Sequence, residues 1–212
     1  MISKLELEEL KSSLNEDTII VAVSKNHSLE KIRIANSLGL THFGENRLQE
    51  LKSKYVDDFN WHFIGHIQTN KIKEIVKYAS LIQSVDRENV LNSINKVASK
   101  INKIQDILIQ VNVLNEEGKS GISLDKLDEL INLALRLDNI KLKGLMVIGP
   151  TDQDINKTRL VFKKMKELFD YYKDKCDDFK YLSMGMSDDY LEAIKYGSNM
   201  IRIGTKIFGN RY

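Results

Sequence analysis

Short apolar runs alternate with longer amphipathic segments along most of the chain. Several of the short runs are apolar at successive positions, which is typical of strands that are covered on both faces. The pattern therefore predicts eight buried strands. They span residues 18–23, 41–44, 61–65, 80–84, 106–113, 142–148, 181–185 and 199–204.

The segments between these runs show the helical period. Residues 87–101 carry apolar side chains three and four positions apart, which form one stripe on a helix, and residues 123–137 and 155–172 behave similarly. A further amphipathic segment precedes the first predicted strand. Gly39 and Gly197 each stand just before a strand, where a glycine that ends a helix belongs.

Strict alternation of strands and helices, with one extra helix at the start, predicts an α/β protein. The expected architecture is a single (β/α)8 barrel of the TIM type. An open, doubly wound sheet is the alternative, but residues 24–28 lack the glycines that such sheets often carry after their first strand. The single proline, Pro150, and the lack of a Gly/Ser linker indicate no boundary, so we expect residues 1–212 to form one domain.

Composition narrows the possible partners and the compartment. The net charge is +2 with interspersed signs, which does not predict the basic face that nucleic-acid binding needs. Cys176 is the one cysteine, so no intrachain disulfide can form. The chain has no apolar run of membrane-span length and no signal-peptide core at its start. We expect a cytoplasmic protein that binds neither nucleic acid nor membrane.

A barrel of this type carries its site at the carboxyl ends of the strands. Lys25 comes just after the first predicted strand. Burial lowers the pKa of a lysine, and a neutral amine can attack an aldehyde to form a Schiff base. The alternative is a solvated surface lysine. Other polar positions after predicted strands are Glu45, Asn46, His66, Asp86, Arg87, Asn112 and residues 184–187 and 202–205.

Residues 183–209 are rich in glycine and hold two strand ends. Ser187 is a candidate N-cap for a helix over 188–196. Loops after the last two strands of such barrels frequently bind phosphate, and Ser187, Gly204 and Thr205 are placed to do so. The alternative is that the glycines only form turns.

Arg202 lies between Ile201 and Ile203, so strand alternation predicts that it faces the barrel interior. A buried guanidinium is costly without a partner, which a carboxylate or an aromatic ring nitrogen can provide. A lysine for an aldehyde, a phosphate cradle and an arginine for a pyridine nitrogen together describe a site for pyridoxal 5′-phosphate (PLP).

Nearly the whole chain resembles the pyridoxal phosphate homeostasis protein family. The fold that this resemblance implies is the one-domain barrel that also forms the N-terminal domain of alanine racemases. The matching stretches are VAVSK (21–25), FGENRLQE (43–50), WHFIGHIQTNK (61–71), SVDR (84–87), IQVNV (109–113), GKSG (118–121), LKGLMVIGP (142–150) and LSMGMSDDYLEAIKYGSNMIRIGTKIFGNR (182–211).

The resemblance implies a role for individual residues around the cofactor ring. Lys25 would hold PLP as an internal aldimine. Asn46 would lie near the ring, and Arg202 would face the pyridine nitrogen.

The resemblance also implies a phosphate site made by Ser187, Gly204 and Thr205, with Ser198 nearby. This chain departs from the family at one point here. The family often has Gly-Ser-Thr where residues 197–199 are Gly-Ser-Asn. If the missing threonine hydroxyl normally helps to hold the phosphate, that one contact is in doubt.

The sequence favours a PLP carrier or regulator over an enzyme. An arginine is a poor proton donor to the ring nitrogen, although racemases work with one. The last predicted strand ends near residue 203, which leaves no second domain to supply a tyrosine acid, and Tyr55, Tyr78 and Tyr196 belong to predicted helices. The resemblance links the family to control of free PLP and of amino-acid and keto-acid balance, with no established reaction. We expect a monomer, with PLP-dependent apoenzymes as candidate recipients.

Three other functions stay open. A racemase-type PLP enzyme acting on a small amino acid would need a proton donor on each face of the ring, and Lys25 supplies one. A sugar-phosphate enzyme, with Lys25 attacking a carbonyl, would leave Arg202 without an obvious partner. The third is a binding protein whose client is another protein.

The remaining candidates are interpreted as structural. We expect His62 to be a satisfied interior histidine. No carboxylate or cysteine at ligand spacing accompanies His42 and His62, so no metal is expected. Lys119 is either a turn lysine or a residue that meets an anion at the mouth of the barrel.

Overall fold

Strands and helices alternate in the computed structural model, which describes residues 1–209. Asn210 and Arg211, the last residues of the C-terminal motif, lie outside the described residues. The strands are β1 (Ile19–Val23), β2 (His42–Glu45), β3 (Asn60–Phe63), β4 (Leu81–Val85), β5 (Gln105–Val111), β6 (Ile140–Val147), β7 (Tyr181–Ser183) and β8 (Met200–Ile203). The helices are α1 (Lys4–Ser12), α2 (Leu29–Ser37), α3 (Leu48–Lys54), α4 (Ile72–Tyr78), α5 (Glu88–Lys100), α6 (Leu124–Ala134), α7 (Ile155–Lys173), α8 (Tyr190–Lys195) and α9 (Thr205–Phe208).

The strands are parallel and close into a barrel in chain order, because β8 pairs with β1. In this register Val21 of β1 lies between His42 of β2 and Arg202 of β8. The (β/α)8 prediction is therefore confirmed, and the open sheet is wrong. The extra helix is α1, whose Leu7 and Leu10 are buried. Within the described residues, no helix is both long and apolar enough to cross a membrane.

The barrel interior changes character from one end to the other. Its lower layer is a small apolar cluster that includes Val21, Leu81 and Met200, apart from the main core between strands and helices. Two residues further along β4 and β8, the interior positions are polar, with Gln83 after Leu81 and Arg202 after Met200. Side chains two apart on a strand share a face. The polar layer therefore lies nearer the carboxyl ends of the strands.

Helix ends follow the sequence in most places. Gly39 and Gly197 have φ angles of +93° and +83° and follow the last residues of α2 and α8, as predicted. The expected N-cap at Ser187 is wrong, because α8 begins at Tyr190 with Asp189 as its N-cap residue. The Asp189 carboxylate instead accepts a hydrogen bond from the Met186 N–H at 2.6 Å and closes a turn ahead of the helix.

Gly144 sits at a register shift between β5 and β6, with φ at +146°. A Cβ atom at this position would lie 1.9 Å from the Tyr181 carbonyl oxygen of the neighbouring strand. Backbone atoms of a closed barrel have little room to move, so the site requires glycine.

We expect Gly144→Ala to lower the free energy of unfolding by more than about 3 kcal/mol, because left-handed strain and a backbone clash combine. The control is Gly118→Ala. Gly118 also has a positive φ of +74°, but its Cβ would meet nothing within 4 Å. It should lose about 1 kcal/mol through strain alone. Denaturant unfolding measures the free energy of unfolding of both variants. Equal losses would show that the predicted clash at Gly144 has no effect.

Candidate cofactor site at the mouth of the barrel

Most of the predicted site residues meet at the carboxyl end of the barrel. Lys25 lies two residues past β1 and is half-buried, while Asn46 directly follows β2. Gly204 directly follows β8, Thr205 begins α9, and Ser187 lies in the loop after β7. Because β1 lies between β2 and β8, these positions surround one opening.

Arg202 faces the barrel interior, as strand alternation predicted, and is 4% exposed. Its Nη1 donates to Ser183 Oγ at 2.6 Å, and its Nη2 donates to the Val147 carbonyl at 2.7 Å. Burial lowers the pKa of Arg202 to about 10, although the charge of Asp189 opposes this shift. The guanidinium is still charged at neutral pH. Both of these acceptors are neutral, which leaves the charge available to a ligand.

The side-chain oxygen of Asn46 is an unsatisfied hydrogen-bond acceptor at the mouth of the barrel. Phe43 packs in the outer core and Glu45 contacts α3, so alternation along β2 turns Asn46 inward. Its Oδ1 is buried and has no hydrogen-bond partner within residues 1–209. Buried acceptors in native proteins are nearly always satisfied. A donor on a bound ligand would satisfy this one, so the site fits a polar ring.

The loops after β7 and β8 meet beside Arg202. The Arg202 N–H donates to the Gly185 carbonyl at 3.0 Å, which joins β8 to the loop after β7. Within residues 1–209 the backbone N–H groups of Ser187 and Gly204 make no loop hydrogen bond. Ser187 and Gly204 lie in the loops that follow the neighbouring strands β7 and β8, and backbone N–H groups without a protein partner can bind an anion. The arrangement suits a phosphate at Ser187, Gly204 and Thr205.

Ser198 does not join this group. It precedes β8 and is 1% exposed, at the opposite end of that strand from Gly204. Its hydroxyl lies 2.7 Å from the Met184 carbonyl oxygen and 3.1 Å from that of Met200. A side chain held in this way fastens β7 to β8 and is not available to a phosphate at the mouth.

Asn199 has the same structural role. Its Oδ1 accepts from the Leu182 N–H at 2.8 Å, and its Nδ2 donates to the Lys180 carbonyl at 2.6 Å. The departure from the family pattern at residue 199 therefore falls on a link between β7 and β8, away from the open amides.

Sequence reasoning missed a buried ionic cluster beneath Lys25. Lys54 of α3 is 7% exposed and its Nζ donates to the Ser24 carbonyl at 2.9 Å, to Glu45 Oε1 at 2.9 Å and to Glu50 Oε2 at 2.6 Å. Glu45 Oε1 also accepts from the Ser24 hydroxyl at 2.6 Å. Burial raises the pKa of Glu45, and the hydrogen bonds from Ser24 and Lys54 oppose that shift.

The same cluster holds the residue after Lys25. The Asn26 N–H donates to Glu50 Oε2 at 2.6 Å, and Asn26 has φ at +63°. Asparagine tolerates this left-handed conformation better than most residues. The cluster thus fixes Ser24 and Asn26, the two chain neighbours of Lys25, through hydrogen bonds. The i, i+4 spacing of Glu50 and Lys54 was the one signal in the sequence.

The remaining candidates have structural contacts. Lys119 Nζ donates to Glu116 Oε2 and to the Gly149 carbonyl, both at 2.6 Å, so it ties the loops after β5 and β6 together. Tyr55 and Tyr78 pack edge-to-face with ring centroids 4.9 Å apart. No three His, Cys, Asp or Glu side chains in residues 1–209 are grouped as metal ligands would be. His62 is 2% exposed and bonded on both nitrogens, which confirms the interior histidine.

Known proteins resemble this chain over most of its length. The family model for the N-terminal domain of alanine racemase matches residues 5–211. The pyridoxal phosphate homeostasis protein of Aquifex aeolicus is 42% identical over 197 residues, which cover 91% of this chain and 86% of that protein. The protein of the same name from Synechocystis sp. is 36% identical over 218 residues and covers 100% of both chains.

Solved structures share the fold. PipY of Synechococcus elongatus with PLP bound matches with a TM-score of 0.88 and 32% identity, over 97% of this chain and 99% of PipY. An alanine racemase from Clostridium difficile matches with a TM-score of 0.76 but 18% identity, over 99% of this chain and 56% of the racemase. At that identity the racemase shows the fold alone.

The closed barrel and the family model define this chain as a barrel of the alanine racemase N-terminal type. Within that class, it belongs to the pyridoxal phosphate homeostasis protein family. The resemblance noted in the sequence is confirmed.

We expect Lys54→Met to lower the free energy of unfolding by about 3 kcal/mol at pH 7, because it leaves Glu45 buried without a cation. The pKa of Glu45 then rises further above its unfolded value. The folded variant therefore takes up a proton as the pH falls. Its deficit relative to wild type should shrink between pH 7 and pH 5, measured by denaturant unfolding.

Lys52→Met is the matched control on the same helix. Lys52 also pairs with a carboxylate, Glu74 at 2.9 Å, but its side chain is 45% exposed. Exposed pairs contribute little, so this variant should stay close to wild type at both pH values. If the two variants behaved alike, the buried cluster would not be supporting the loop.

Proposed function

We propose that this chain binds PLP at the barrel mouth through Lys25 and acts as a carrier or regulator in PLP homeostasis. One observation carries the proposal. Lys25 and Arg202 approach the mouth from neighbouring strands, and Arg202 is a buried guanidinium that makes no ion pair within residues 1–209. The PLP bound to PipY and the names of the curated relatives support it.

The covalent link is a Schiff base between Lys25 and the aldehyde of PLP. PLP would supply the aldehyde when bound, and Lys25 would supply the amine that condenses with it, with loss of water. This step needs an amine held at a fixed place. Hydrogen bonds to Ser24 and Asn26, on either side of Lys25, provide that constraint.

The ring and the phosphate are assigned to separate groups of residues. Arg202 donates to the pyridine nitrogen, and Asn46 contacts a polar group of the ring through its unsatisfied Oδ1. Ser187 and Gly204 bind the phosphate with their open loop amides, and Thr205, the first residue of α9, contacts it beside them. Ser198, fastened to strand carbonyls, takes no part.

The arrangement suits holding the cofactor better than transforming a substrate on it. A guanidinium keeps its own protons, so it leaves the pyridine nitrogen unprotonated and the ring a weaker electron sink. The racemase alternative also needs a proton donor on the second face of the ring. Tyr55 and Tyr78, which pack against each other, do not provide one.

We expect the purified protein to absorb visible light as a PLP Schiff base, and borohydride to fix the cofactor onto Lys25. Lys25→Ala should remove both the band and the attachment, because the neighbouring amine, Lys54 Nζ, is committed to Ser24, Glu45 and Glu50. Absorption spectra and peptide mass analysis after reduction measure this. Lys163→Ala is the control, since Lys163 is an exposed lysine of α7.

Two results would contradict the proposal. If the wild-type protein does not bind added PLP, the sugar-phosphate enzyme becomes the favoured function for Lys25. Attachment at a different lysine would mean that the protein binds PLP, but not at Lys25.

We also expect the loaded protein to restore activity to a PLP-dependent apoenzyme, and to show no racemase or transaminase turnover itself. Activity recovery over time, compared with an equal concentration of free PLP, measures the transfer. The borohydride-reduced protein is the control, because its cofactor cannot leave. Sustained racemisation of a small amino acid would favour the enzyme alternative.

A further inference from the structure

A row of hydrogen-bonded side chains crosses the barrel interior from Arg202 to β2. Arg202 Nη1 lies 2.6 Å from Ser183 Oγ, and Ser183 Oγ lies 2.7 Å from Gln83 Oε1. Gln83 Nε2 lies 2.7 Å from His62 Nδ1, and His62 Nε2 lies 2.9 Å from His42 Nδ1. The row thus joins β8, β7, β4, β3 and β2 inside the barrel.

The chemistry of the groups gives the row one direction. A guanidinium only donates, so Ser183 Oγ accepts from Arg202 and its hydrogen goes to Gln83 Oε1. The Gln83 amide then donates to His62 Nδ1. His62 Nδ1 therefore carries no hydrogen, and His62 Nε2–H donates to His42 Nδ1. Both histidines are fixed as neutral Nε2–H tautomers.

The middle of the row is fully buried. Gln83 and Ser183 are 0% exposed, and His62 is 2% exposed. Burial, with a smaller effect from His42, lowers the pKa of His62 to about 3, so the ring stays neutral at physiological pH. A neutral row supplies hydrogen bonds to Arg202 without cancelling its charge.

We propose that Ser183, Gln83 and His62 are positioning residues that orient the Arg202 guanidinium toward the ring nitrogen of PLP. This inference rests on the proposed function. Hydrogen bonds to Ser183 and to the Val147 carbonyl fix both Nη atoms and hence the plane of the guanidinium. The hydrogen bond from Ser183 to Gln83 turns the hydroxyl lone pairs toward Arg202, and Gln83 is held in that orientation by His62. Satisfied buried networks of this kind specify one arrangement.

The direct test compares Gln83→Leu with Gln110→Leu. Gln110 of β5 is 2% exposed, and its Nε2 donates to the Ser120 carbonyl at 2.9 Å, outside the row. Both variants delete one buried amide. Gln83→Leu should weaken PLP binding about tenfold and move the visible absorption maximum, because Arg202 loses its fixed plane. Gln110→Leu should change neither. Ser183→Ala should reproduce the effect of Gln83→Leu if that variant folds poorly.

A PLP analogue with carbon in place of the ring nitrogen separates positioning from packing. It has nothing to accept from Arg202, so wild type and Gln83→Leu should bind it with nearly the same affinity. An equal loss for PLP and for the analogue would overturn the proposal, because general loosening of the barrel affects both ligands.

Nitrogen-15 NMR of the histidine rings tests the row without any cofactor. In wild type, His62 and His42 should each show the neutral Nε2–H tautomer, and Gln83→Leu should shift the His62 Nδ1 resonance, because that nitrogen loses its hydrogen-bond donor. A hydrogen on His62 Nδ1 would reverse the deduced direction and overturn the proposal. If wild type does not load PLP, the proposed function and this inference fall together. If it loads PLP and Gln83→Leu matches Gln110→Leu, the inference alone fails.

Discussion

The barrel has to bury a guanidinium without an ion pair. Arg202 makes no salt bridge within residues 1–209, and its two protein acceptors, Ser183 and the Val147 carbonyl, are neutral. Burying a charge is costly unless hydrogen bonds replace water. The polar layer of the interior meets that requirement, at the expense of the apolar packing that fills many barrels of this type. The rest of the site is arranged around this charge.

Lys25 is supported in the opposite way. Its neighbours are held by charged groups, Lys54 with Glu45 and Glu50, and this cluster lies outside the barrel under α3. Buried ion pairs add little stability on balance. In this cluster Glu45 is held through Oε1 alone, because its Oε2 is buried without a hydrogen-bond partner within residues 1–209. Neutral groups inside the barrel thus hold Arg202 on β8, and charged groups outside it hold the residues around Lys25 after β1. Placing the cluster on the outer face keeps its carboxylates away from the inward-facing Arg202.

Local patterns in the sequence were enough to predict the strands, the long helices and the inward direction of Arg202, because each depends on nearest neighbours along the chain. The position of Ser198 could not be predicted in this way. It belongs to the same glycine-rich motif as Gly204, but the strand between them carries the two residues to opposite ends of the barrel. The i, i+4 spacing of Glu50 and Lys54 indicated one contact of the cluster. The contacts of Lys54 with Ser24 and of Gln83 with His62 and Ser183 join segments far apart in sequence, about which helical or strand periodicity contains no information.

The polarity of the interior row also bears on whether the protein holds or transforms its cofactor. If PLP binds as proposed, a charged Arg202 leaves the ring nitrogen without a proton, and the row of neutral groups behind it offers none. A carboxylate at position 83 would reduce the positive charge on Arg202, because it would accept the Ser183 hydrogen bond as an anion and partly neutralise the guanidinium. The amide of Gln83 keeps Arg202 a full cation and a donor only. Such a site binds the ring nitrogen firmly while keeping the ring a poor electron sink, which is the property that a carrier of a reactive cofactor requires.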